Sequence, residues 1–91
     1  MNQYTVEVFN NRLTPNEREY HVVGRFATEE QAIACARGVI DTSLGKLREL
    51  GFQYAGLLTQ WSAFGQGVRI DRVTPVRFDP YEYARIRAYS E

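Results

Sequence analysis

A chain of 91 residues, 44% hydrophobic and 13% aromatic, has room for one core. It excludes both a disordered polymer and a core wrapped around a deep substrate cavity. Eleven basic and eleven acidic side chains cancel to a net charge of zero, which argues against binding dominated by phosphate neutralisation.

Residues 3–9, QYTVEVF, put Tyr4, Val6 and Val8 on one face and Thr5 and Glu7 on the other. That alternation predicts a half-buried strand. Residues 10–18 hold three Asn and one Pro and read as a loop. Residues 19–26, EYHVVGRF, alternate again, with Tyr20, Val22, Gly24 and Phe26 on one side and His21, Val23 and Arg25 on the other. The two runs predict an antiparallel hairpin with a long tip.

Thr28 then caps a helix, Gln31 completes a capping box, and Glu29 and Glu30 suit its positive end. Ile33, Ala36, Ile40, Leu44 and Leu47 recur every three or four residues, and Ala32, Val39 and Leu50 widen the stripe. The spacing predicts an amphipathic helix over about 29–50. Gly51 is its natural stop, with Phe52 folding back on Leu47. Gly38 and the run Asp41, Thr42, Ser43 are poor helix formers and predict a bend near 41–45.

In residues 53–64, QYAGLLTQWSAF, the spacing of Tyr54, Leu57, Leu58, Trp61 and Phe64 is helical. Gly65 and Gly67 then break the chain, in a turn expected to use positive backbone angles. Residues 68–73 alternate as a short charged strand suited to a sheet edge, and Thr74 and Pro75 interrupt it. Asp79 caps a last helix over about 80–89, with Pro80 in its first turn and Glu82 following. Tyr83, Ile86 and Tyr89 supply its buried face. The order strand-strand-helix-helix-strand-helix predicts an α+β fold. A small antiparallel sheet has helices on one face, and the neighbour of the third strand is left open. No repeat, low-complexity tract or linker divides residues 1–91, so one domain is expected.

Few residues point to chemistry. His21 is the only histidine; as a general base it has only Glu19 or Glu7 nearby to orient it. Cys35 lies inside the first helix without a cationic neighbour at helical spacing, and so reads as an inert apolar thiol. One His and one Cys leave no protein-only zinc site. Asp41 in mid-helix either pairs with Arg37 or marks the bend. No phosphate-binding or dinucleotide fingerprint is present. No cofactor or metal is expected.

The segments FATEEQAIACARGVIDTSL, QWSAFGQGVRI and FDPYEYARIRA occur in an order and spacing that resembles a family of small uncharacterised bacterial proteins of about this length. Its members open with a hairpin, continue with an Ala-rich helix and a Phe-Gly turn, and close with a Tyr-Ala helix. The resemblance covers about residues 20–89 and implies an order of elements, with no activity or functional residue attached.

The aromatic residues of the C-terminal half are the remaining signal. Tyr54, Trp61 and Phe64 with Tyr81, Tyr83 and Tyr89 could build one patch across the last two helices, against the reading in which Trp61, Phe64 and Tyr83 fill the core. The expected function is a small bacterial interaction module binding a protein partner or a second copy of itself. It would use the aromatic helix surface, centred on Trp61, Tyr81, Tyr89, Arg85 and Arg87, or a sheet edge. The alternative is a nucleic-acid binder using Arg69, Arg72, Arg85 and Arg87. A third reading, a small enzyme or toxin-like hydrolase, needs His21 or an acid pair in a cleft. The lone cysteine fits a reducing cytoplasm. The opening MNQYTVEVFNN has no basic start or apolar run of a signal peptide, and no stretch approaches the ~18 apolar residues of a membrane span.

Overall fold

The computed structural model describes residues 4–71 and 78–90. Its elements are β1 (Tyr4–Asn10), β2 (His21–Phe26), α1 (Glu29–Glu49), α2 (Tyr54–Phe64), β3 (Gln66–Asp71) and α3 (Pro80–Ala88), the α+β order expected. The end of the third predicted strand, the break at Thr74 and Pro75, and Arg72 and Arg77 lie outside the described residues.

The three strands form an antiparallel sheet in the order β2-β1-β3. The third strand's open neighbour is therefore β1, which is central, and the charged β3 takes an outer place. Tyr4, Val6 and Val8 of β1 are buried, and Val68 of β3 lies opposite Val8 and is buried with them. Helix α1 packs across all three strands, and α2 and α3 pack on α1 and on each other. One core results, centred on Val6, Ile40, Leu44 and Leu57.

The register of the hairpin slips in mid-strand. Val6 faces Gly24 but Glu7 faces Val22, so Val23 is the extra residue of a β-bulge. The expectation that Tyr20, Val22, Gly24 and Phe26 share one side is corrected by this slip. Gly24 and Phe26 lie opposite Val6 and Tyr4 of the core face, whereas Val22 lies opposite Glu7 of the other face. His21 is thereby carried to the helix side, opposite Val8. Gly24 has its own reason to be glycine: a Cβ there would come within 2.7 Å of the Phe26 ring.

Helix α1 begins as its sequence indicates, with the Thr28 hydroxyl accepting from the Gln31 amide at 3.2 Å. It ends in a Schellman turn: Gly51 N–H donates to Arg48 O, Phe52 N–H donates to Leu47 O, and Gly51 takes φ 101°. Ala32, Ala36, Ile40 and Leu44 are its buried stripe. Leu50 is not part of it; at the C-cap, where the chain leaves the core, it is 75% exposed. The helix runs uninterrupted through 41–45.

Helix α2 buries Leu57, Leu58 and Trp61 but not its terminal Tyr54 and Phe64, which project beyond the packed turns. The Gly65–Gly67 turn also has a different cause from the one expected. Gly65 has φ −76° and ordinary extended backbone, and Gly51 is the positive-φ glycine among the described residues. What Gly65 and Gly67 supply is space. A Cβ on Gly65 would strike the Trp61 ring and carbonyl, and one on Gly67 would strike the Phe9 ring and the Asn11 side chain. Among the described residues no helix is long and apolar enough to cross a membrane.

Candidate functional site

Helix α3 begins at Asp79, whose carboxylate accepts from the Tyr81 and Glu82 amides at 3.0 and 3.3 Å, with Pro80 at the first helical position. Its rotation then departs from the expected one. Ala84 and Ala88 are buried, while Ile86 and Tyr89 are about half exposed. Alanines let the helix backbone approach α1 and α2 closely, and polar contacts fix which side faces inward.

Those contacts form a clasp. The Tyr83 hydroxyl lies 3.0 and 2.9 Å from the two carboxylate oxygens of Asp41, and Arg87 Nε donates to Asp41 Oδ1 at 3.2 Å. Arg37 stands over the Tyr83 ring at 5.5 Å, and Phe78 packs against it at 5.9 Å. Burial, with the hydrogen bond to Asp41, pushes the Tyr83 phenol above its usual range. Asp41 therefore holds α3 rather than marking a bend. At the other end Arg48 donates to the carbonyls of Arg87 and Ser90, closing the C-terminus of α3.

With Ala84 and Ala88 buried, Tyr83 half-buried and Arg87 laid against Asp41 at the surface, the outward strip is Tyr81, Glu82, Arg85, Ile86 and Tyr89. Glu82 and Arg85 are ion-paired on it, which lowers the Glu82 carboxyl below its usual range. The Tyr89 ring lies 6.3 Å from Tyr54, which extends the apolar surface onto α2. Tyr54 itself has φ 51°, a left-handed conformation unusual for an aromatic residue.

Of the five residues expected to form the surface, Tyr81, Tyr89 and Arg85 share this strip. Arg87 faces Asp41 instead. Trp61 is 4% exposed, donates its indole N–H to Gln66 O at 3.2 Å, and belongs to the core. Tyr54, expected in the aromatic patch, adjoins the strip, and Ile86, expected on the buried face, lies on it, because helical spacing says nothing of rotation.

The other candidates lie apart. His21 stands 4.0 Å from Glu19 at a cleft of about 430 Å³ that Val8, Leu13 and Phe64 also line, with 70% of its side chain exposed. Cys35 is half-buried, and burial pushes its thiol up, away from the reactive thiolate. Among the described residues no group of three or more His, Cys, Asp or Glu is placed to hold a metal ion. On the sheet face away from α1, Arg69 covers the Tyr20 ring at 3.7 Å and bonds Glu7 at 3.0 Å. Arg18 covers Phe9 at 4.5 Å, and the Phe9 and Tyr20 rings meet edge to face at 5.3 Å. This ladder is not legible along the chain, because its members come from three separate segments.

No family profile, curated protein or solved structure matches the chain.

Proposed function

We propose that the chain is a small protein-interaction module of the bacterial cytoplasm, docking through the outward strip of α3 and the adjoining Tyr54. The observation that carries this reading is the inverted distribution of α3. Its buried side is built on two alanines, and its large apolar side chains, Tyr81, Ile86 and Tyr89, face solvent about half exposed. Tyr and Ile combine apolar area with low ordering cost, and Tyr adds a hydrogen-bonding tip, the features favoured at binding surfaces. The β2 edge is a poorer candidate, because its bulge bends the strand and interrupts pairing.

A nucleic-acid reading has less support. Arg69, Arg85 and Arg87 each lie against a carboxylate, of Glu7, Glu82 and Asp41 respectively. The first test is capture from lysate by the immobilised chain, with and without nuclease, beside Tyr81→Ala/Tyr89→Ala. The double variant should stay folded and recover far less protein. Capture that survives the double substitution removes this surface, and capture lost to nuclease moves the nucleic-acid reading first.

A further inference from the structure

The outward strip of α3 has a charge order that matches itself. It carries one acid and one base, Glu82 and Arg85, flanked by Tyr81 at one end and Ile86 and Tyr89 at the other. We infer that its partner is a second copy of this chain, whose α3 lies antiparallel across a two-fold axis. The inference rests on reading the strip as an interaction surface.

Two-fold symmetry makes each contact occur twice and requires a patch complementary to itself. An axis passing between Glu82 and Arg85 meets that requirement. It sets Glu82 beside the partner's Arg85, while Tyr81 and Ile86, about 140° apart around the helix, lie on opposite flanks of the crossing. The existing Glu82–Arg85 pair then becomes a four-membered network of alternating charge, with each guanidinium between two carboxylates. Apolar contacts flank the network on both sides, and the Tyr54–Tyr89 pair widens the surface beyond α3. The chain as a whole carries no net charge, so two copies approach without mutual repulsion. A nine-residue helix with one neighbouring ring is a small contact, and the dimer belongs to the weak, reversible class.

Sedimentation equilibrium of the full chain, over about 10 μM to 1 mM to span the weak range, tests this. A monomer–dimer equilibrium is expected. Glu82→Arg alone or Arg85→Glu alone places like charges together twice, and should weaken dimerisation about tenfold. The double variant Glu82→Arg/Arg85→Glu restores opposite charges and should return the dissociation constant to within about threefold of the parent. Far-ultraviolet circular dichroism confirms that each variant keeps its helices. A parent that stays monomeric throughout overturns the inference, and so does a double swap no better than the single reversals. The broader reading fails separately. If the parent is monomeric yet Tyr81→Ala/Tyr89→Ala still loses a captured protein, self-association falls and the interaction surface stands. If it loses nothing, both fall.

Discussion

Tyr83 shows how one hydroxyl decides the placement of a helix. Its bond to Asp41 reaches across 42 residues of sequence, and neither partner announces the other. Asp41 reads as a misfit in a helix, and Tyr83 as a core aromatic. Tyr83→Phe should destabilise the fold by about 1 kcal/mol, the usual net value of one hydrogen bond, measured by urea denaturation. The pH dependence follows from the raised phenol. The folded chain keeps a proton that the unfolded chain loses near pH 10, so this contribution is complete below about pH 10 and is lost as pH rises further. Tyr83→Phe should flatten that part of the stability profile, and an unchanged slope would assign it to other tyrosines. Gly67 is a second case. Its chemistry was visible as a turn residue, but the Phe9 ring that forbids a side chain there comes from a distant strand. Gly67→Ala should lower stability by about 1–3 kcal/mol through overpacking, read as a lower melting temperature.

At the scale of elements, caps and stops were legible because they are local. Thr28, Gly51 and Asp79 each act within three residues of their own position. Asp79→Ala should remove about 1 kcal/mol by leaving two α3 amides unpaired, and hydrogen exchange should show faster opening of α3 while α1 is unaffected. The rotation of α3 was not legible. Spacing alone offers Tyr83–Ile86–Tyr89 and Ala84–Ala88 as two candidate faces, and hydrophobicity favours the first. Close approach to α1 and the pull of Asp41 select the second. The bulge in β2 was equally hidden, since alternation continues smoothly through Val22 and Gly24 in the sequence. Only Gly24, a poor strand residue, marks the place. The outward strip of α3 was thus half visible: its Tyr81, Tyr89 and Arg85 could be named, whereas Trp61 and Arg87 could not be told from residues of that strip until the helices were oriented.

The whole molecule depends on one small core in which α1 joins the sheet to the other two helices. Leu57 and Ile40 are fully buried there. Leu57→Ala should cost about 2–5 kcal/mol, a large share of the roughly 5–10 kcal/mol expected for a domain of this size. Chemical denaturation should show the loss as a shifted midpoint with the slope unchanged. The sheet order has a temporal consequence. Its central strand, β1, is made first, but one of its two neighbours, β3, ends 45 residues after β2 does, at Asp71 rather than Phe26. At ~5–20 residues per second of synthesis, the nascent hairpin waits about two to nine seconds with the second side of β1 unpaired. During that interval Val6 and Val8 have no β3 to cover their flank, and the emerging chain is most open to chaperones and to misassembly with its neighbours on the same message.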